Sequence, residues 1–226
     1  MYKLLFKPKD ILKYIAFYIN IPFVYSKLSY SQEGEDLIIK NIFKNINDGF
    51  YIDIGAHHPY KYSNTYLLYK KGWKGVNIDP DKKFLPLFNR ARKRDINLNI
   101  AVGSKDKSMD YFTFKDTALN TFSRQRYKIV IDNQQSEFTG KFRLKVHSFE
   151  KLLLKYLKGK KINFINIDIE GLEYEILSSF NIKKYTPEII AVENLGKYRN
   201  KLENLLKKEG YECEAKTSIT EIYVKK

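Results

Sequence analysis

Along the middle of the chain, short runs that are apolar at nearly every position alternate with longer stretches whose apolar residues recur every three or four positions. The first pattern predicts strands buried on both faces, and the second predicts helices with one apolar stripe. Five runs fit the strand pattern: "FYIDIG" at 50–55, "KGVNID" at 74–79, "INLNIAV" at 96–102, "INFINIDI" at 162–169 and "EIIAVE" at 188–193. Helical spacing covers 64–71, 81–93, 149–158, 171–180 and 198–209, with Ser148 as an N-cap and Gly210 as a C-terminal stop. This alternation predicts an α/β fold of βα units around a mostly parallel sheet, with helices on both faces. Residues 211–217 and 219–226 flank a short turn at Ser218 and predict an antiparallel hairpin closing the sheet. Residues 104–147 break the rhythm and read as extra strands or covering loops inserted between the third and fourth main strands.

A chain of 226 residues, 43% of them hydrophobic, is long enough for one substantial core. We therefore expect a single catalytic domain over 31–226, preceded by an apolar extension over 1–30. In that extension, Ile11 to Tyr25 is shorter than the roughly 20 residues a spanning helix needs and is interrupted by Lys13 and Pro22. It reads as a helix packed on the domain, or as a basic interfacial helix making peripheral contact with a membrane. One cysteine, Cys213, excludes an intramolecular disulfide and fits a reducing, cytoplasmic setting. The net charge of +15 would attract anionic partners, but the lysines are spread along the chain and no basic arm stands out.

An open α/β sheet binds ligands beyond the carboxyl ends of its strands, and acidic residues gather at those ends here. "YIDIGAHHP" delivers Asp53 and Gly55 to the end of the first strand, where glycine permits a sharp turn and close ligand approach. Asp79 ends the second strand 24 residues after Gly55, near the spacing of about 20 at which an acid meets ribose hydroxyls. The G-x-G-x-x-G fingerprint is absent, which suits a nucleoside cofactor without pyrophosphate. Asp168 and Glu170 end the fourth strand, and Glu193 with Asn194 ends the fifth. Together they would make an oxygen-rich site for a hard divalent cation or for general-base work. Taken singly, each acid fits equally well as a helix cap or a partner for lysine. The candidate bases are His58, Glu170 and Glu193; His57 reads as scaffolding, and three histidines scattered along the chain do not suggest zinc.

The blocks "SQEGEDLI", "FYIDIGAHHPYKYSNTYLLYKKGWKGVNIDP", "INLNIAVG", "LNTFS" and "FINIDIEGLEYEIL", spread over residues 30–194, resemble the FkbM-type methyltransferases. The resemblance implies a Rossmann-like class I methyltransferase with a seven-stranded sheet, its seventh strand antiparallel, and S-adenosylmethionine across the ends of the first two strands. It places Asp53, Gly55 and Ala56 at the methionine end, with His57 beside the cofactor, and Asp79 with Pro80 at the ribose. Ala101 and Val102 fall near the adenine, and Asp168 at the far wall. Ser63 and Asn64 would meet the cofactor carboxylate or the substrate, while Gln32, Glu35 and Asp36 would seal the pocket. By analogy with methyltransferases carrying an acid on the fourth strand and an acid-Asn pair on the fifth, Asp168, Glu193 and Asn194 would bind Mg²⁺.

The function expected from the resemblance is O-methylation of a small-molecule, sugar or glycan-linked hydroxyl, as in polysaccharide biosynthesis. Two alternatives stand beside it. A nucleic-acid methyltransferase would use the basic balance and the aromatics, although no N-P-P-Y type motif occurs. A non-catalytic, membrane-docked module would keep the fold and use the N-terminal segment for docking.

Overall fold

The first strand, β1 (Phe50–Ile54), is buried at all five positions, as expected of a strand covered on both faces. It is an interior strand of the sheet in a computed structural model that describes residues 29–157, 159–193 and 198–226. In chain order the elements are α1 (Glu35–Ile42), β1, α2 (Tyr66–Lys70), β2 (Lys74–Ile78), α3 (Leu85–Ala91), β3 (Ile96–Leu98) and β4 (Ala101–Gly103). There follow β5 (Lys107–Phe114), a 3₁₀ turn (Thr117–Leu119), α4 (Arg124–Asp132), β6 (Phe138–Ser148), α5 (Phe149–Leu157) and β7 (Phe164–Ile167). The last are α6 (Glu173–Ser179), α7 (Ile182–Tyr185), β8 (Ile189–Glu193), α8 (Arg199–Lys208), β9 (Tyr211–Lys216) and β10 (Thr220–Lys225).

Seven strands form the main sheet in the order β3-β2-β1-β7-β8-β10-β9. β10 runs antiparallel between β8 and β9, and the other pairings are parallel. This is the mostly parallel sheet with a reversed last strand that the sequence predicts. Gly210 follows α8 at φ 75°, in the left-handed region that stops a helix, and its N–H bonds to the Lys207 carbonyl. Side chains alternate across the sheet with a period of two. On one face Phe50, Ile52 and Ile54 pack with Val76, Ile167 and Phe149. On the other, Tyr51 packs with Ile39, Leu68, Trp73 and Phe164.

Two sequence expectations change. The run 96–102 is not one strand: β3 pairs with β2 in the main sheet, whereas β4 leaves it to pair with β6 in a second, three-stranded sheet of order β4-β6-β5. The break falls at Asn99, whose side-chain amide donates to the Asp79 carbonyl at 3.0 Å. The segment 104–147 also contains helix α4, where strands or loops were expected; the Ser123 hydroxyl caps it by accepting from the Arg126 N–H at 3.2 Å. The N-terminal segment through residue 28, with the membrane contact expected of it, lies outside the described residues, as does Asn194. Among the described residues no helix is long and apolar enough to cross a membrane.

Candidate active site

The strand order reverses between β1 and β7, because β1 leads outward through β2 and β3 while β7 leads the other way. At the carboxyl ends of β1, β2 and β7, where such sheets bind ligands, lies a cleft of about 830 Å³ counting its open mouth. Gly55, Asp79 and Asp168 all line it. Gly55 sits at φ 79°, and a Cβ there would lie 1.6 Å from the Asp168 carbonyl oxygen, so only glycine lets β1 turn this close to the end of β7.

The Asp79 carboxylate is oriented by the main chain: Oδ2 accepts from the His57 N–H at 2.8 Å and Oδ1 from the Asp81 N–H at 2.8 Å. Burial pushes its pKa up to about 7 despite these bonds. Pro80, Ile78, Ile100 and Val102 give the same side of the cleft an apolar surface. Opposite stand Asp168 and Glu170. Glu170 adopts φ 58°, its carbonyl accepts from Thr121 Oγ1 at 2.7 Å, and its carboxylate accepts from Arg126 Nε at 2.5 Å. Glu193, 5% exposed, completes a group with Asp168 and Glu170 whose nearest carboxylate oxygens all lie within 4.8 Å of one another. Burial raises the Asp168 and Glu193 pKa values well above the usual carboxylate range, and the charges of neighbouring acids raise both further. Glu173 stands behind them and accepts from the Ile169 and Gly171 N–H groups; burial moves its pKa to about 7.

The two histidines occupy different surroundings. His57, at φ 48°, lines the cleft; its Nε2 meets Thr117 Oγ1 at 3.1 Å, and its buried Nδ1 has no hydrogen-bond partner among the described residues. The His58 side chain turns away, and its Nδ1 accepts from the Tyr60 and Lys61 N–H groups at 3.2 and 3.0 Å. Burial first, then neighbouring positive charge, lowers the pKa of His57 to about 3 and of His58 to about 4, so both rings are neutral at pH 7. The structure thus puts His57, expected as scaffolding beside the cofactor, on the cleft wall, and gives His58, read as a base, a bond that closes a turn.

Several other sequence-predicted residues lie beneath the cleft instead of lining it. Asp53 shares the Tyr51 face of β1, where it accepts from Thr65 Oγ1 at 2.6 Å and Asn166 Nδ2 at 2.9 Å. Asn64 donates to Asn166 at 3.0 Å, and Ser63 Oγ accepts from the Tyr66 N–H and from Arg92. Ala56 packs with Phe84 and Phe88, and Ala101 packs with Tyr111 and Val146. Of the "SQEGED" block only Gln32 reaches the cleft. Glu35 joins the Glu33 N–H to Thr217 Oγ1, and Asp36 accepts from Ser29, Ser31 and the Tyr30 N–H.

Sequence reasoning missed the clamp under this floor. The Arg92 guanidinium is fully buried and donates to the Pro59 carbonyl, the Tyr51 hydroxyl and Ser63 Oγ at 2.8–3.0 Å, with Asp95 at 3.8 Å. It hides in the charged run "RARKRD", which reads as a solvated helix end. Arg126 and the cleft residues Tyr111 and Asn120 were also missed, because they come from the segment where no strand-end rule applies.

The sequence model of the "Methyltransferase FkbM domain" family matches residues 53–213. No curated protein matches the chain. Among solved structures, the chain is similar to a TehB-like SAM-dependent methyltransferase from Corynebacterium glutamicum, at 12% identity and a TM-score of 0.45, covering 97% of this chain and 100% of that one. It is also similar to a candidate RNA methyltransferase from Pyrococcus horikoshii, at 8% identity and a TM-score of 0.46, covering 92% and 97%.

Proposed function

The chain belongs to the FkbM methyltransferase family, and from that premise we propose that it transfers a methyl group from S-adenosylmethionine to a hydroxyl of a sugar or glycan-linked acceptor. The observation that carries the reading is Asp79: a cleft carboxylate fixed by two backbone N–H groups, beside an apolar patch and a turn without a Cβ. Those features fit a nucleoside donor, with Asp79 accepting from the ribose hydroxyls, Ile100 and Val102 against the adenine, and Gly55 leaving room at the methionine end. When bound, the donor supplies a methyl carbon on a sulfonium; a C–O bond forms as the C–S bond breaks, leaving a neutral thioether.

The protein must hold the acceptor oxygen in line and take its proton. Asp168 and Glu170 stand on the wall facing the Asp79 side and are the carboxylates in reach of an acceptor in this cleft. Burial raises the Glu170 pKa above its ordinary value, which suits a proton acceptor, and the Arg126 guanidinium opposes that rise by favouring the ionised form. Thr117, Asn120 and Tyr111 give the acceptor side a polar and aromatic rim.

The test is calorimetric titration with S-adenosylhomocysteine, followed by turnover of hydroxylated sugars read by mass spectrometry. We expect binding to the wild type and an affinity loss of about 10- to 100-fold in Asp79→Ala, the cost of hydrogen bonds to a charged acceptor. No binding by the wild type would overturn the donor assignment. Methyl transfer to RNA, with none to sugars, would overturn the acceptor assignment.

A further inference from the structure

The group formed by Asp168, Glu170 and Glu193 is more than a collection of acids near a cleft. One carboxylate oxygen from each converges within 4.8 Å of the other two, and the three come from the end of β7, the turn after it and the end of β8. A protein does not bring like charges together in a poorly solvated place without something to offset them. Arg126 offsets one, through Glu170 Oε2. With all three ionised, as a bound cation would hold them, three carboxylates and one guanidinium leave two negative charges. Glu193 Oε2 is buried with no hydrogen-bond partner among the described residues, on a side chain 95% removed from solvent. A buried carboxylate oxygen left bare is unfavourable unless something fills the space in front of it.

We propose that Asp168, Glu170 and Glu193 form a binding site for one hard divalent cation at the inner end of the cleft. The charge left by the four side chains matches a doubly charged ion, and the donor set is oxygen only. Ligand oxygens across a Mg²⁺ ion are at most about 4.2 Å apart and across a Ca²⁺ ion about 5 Å, so the 4.8 Å spread suits a larger cation as it stands and must contract slightly for Mg²⁺ or Mn²⁺. Three protein oxygens leave coordination positions unfilled. Since Asp168 and Glu170 also line the cleft, those positions face the acceptor. An acceptor with two adjacent oxygens, such as a vicinal diol of a sugar, would bind the ion through both. This last step rests on the methyl-transfer reading; the binding of the cation does not. The ligand set differs from the sequence expectation in taking Glu170 in place of Asn194, which lies outside the described residues.

The test uses the full chain stripped of metal, without donor or acceptor, titrated with Mn²⁺ while the free-ion signal is followed by electron paramagnetic resonance. We expect one site with a dissociation constant of roughly 10–100 µM, displaced by excess Mg²⁺ or Ca²⁺. Glu193→Gln and Asp168→Asn keep the shape of the side chain and should each weaken uptake by about tenfold or more. Unfolding curves of the same samples give a second readout: Mn²⁺ should raise the melting temperature of the wild type and not of Glu193→Gln. Absence of Mn²⁺ uptake at millimolar concentration, or uptake unchanged in a folded Glu193→Gln protein, overturns the proposal. Neither result bears on S-adenosylhomocysteine binding, so the two readings fail separately.

Discussion

On the side of the cleft assigned to the donor and in the floor beneath it, Asp79, Asp53 and Asp95 present six carboxylate oxygens, and every one accepts a hydrogen bond from a backbone N–H or a neutral side chain. Across the cleft, Asp168, Glu170 and Glu193 crowd together, one oxygen is held by Arg126, and one on Glu193 has no partner among the described residues. The residue type is the same and the treatment is opposite. Acids whose oxygens are all satisfied in the unliganded protein act as fixed scaffolding, ready for a ligand that adds donors of its own. Acids left partly bare hold unfavourable electrostatics that a cation or a proton relieves.

The two walls meet where Gly55 passes the Asp168 carbonyl, so the largest effect should come from Gly55→Ala. The new Cβ would fall 1.6 Å from a backbone oxygen, on a residue already at φ 79°. Clash and left-handed strain together cost on the order of 5 kcal/mol, which in a domain of this size lowers the melting temperature by about 10–20 °C. Binding of S-adenosylhomocysteine and of Mn²⁺ should fall together; near-wild-type melting would show that the turn can rearrange. Arg92→Met separates the walls. It leaves the Pro59 carbonyl and Asp95 without the guanidinium, at about 3–5 kcal/mol, and loosens the loop whose His57 N–H orients Asp79. In the folded fraction, S-adenosylhomocysteine affinity should drop about tenfold while Mn²⁺ uptake stays within a few-fold of wild type. Equal loss of both would mean that the walls are not independent.

The acids that ended up on the cleft were legible where strand ends alone decide position. Gly55, Asp79 and Asp168 follow directly from apolar runs stopping at a polar residue. Asp53 was not, because it stands one residue before Ile54, whose side chain reaches the cleft, and so on the opposite face of β1, where it joins Tyr51 over the Arg92 network. The place of His58 was not legible either: His57 lines the cleft, whereas His58, expected as a base, turns into a loop. A positive φ at His57 is invisible in the letters, and it sends two adjacent imidazoles in different directions. The split of 96–102 between two sheets was hidden by an apolar run that continues across the break, and the cleft residues of 104–147 had no periodic signal to place them.

The smallest predicted effect probes the satisfied wall through its protons. Asp79 has a folded-state pKa of about 7, above its ordinary value near 4, because burial outweighs its two N–H bonds. Its contribution to stability is therefore complete below about pH 4 and is lost as the pH rises through about 7. Glu173, also near 7, tilts the curve in the same direction, so the difference between wild type and Asp79→Asn is what isolates Asp79. Without ligand, the melting temperature of the wild type should fall more steeply between pH 5 and pH 8 than that of Asp79→Asn. In the proposed donor pose, ribose hydroxyls would donate to the ionised carboxylate and hold it in that form, so S-adenosylhomocysteine should bind about three- to tenfold more tightly at pH 8 than at pH 6. Asp79→Asn should flatten that dependence and Glu173→Gln should leave it. If the dependence persists in Asp79→Asn, the donor's hydroxyls rest on some other group, and the contrast between a satisfied and a bare wall loses its functional meaning on the Asp79 side.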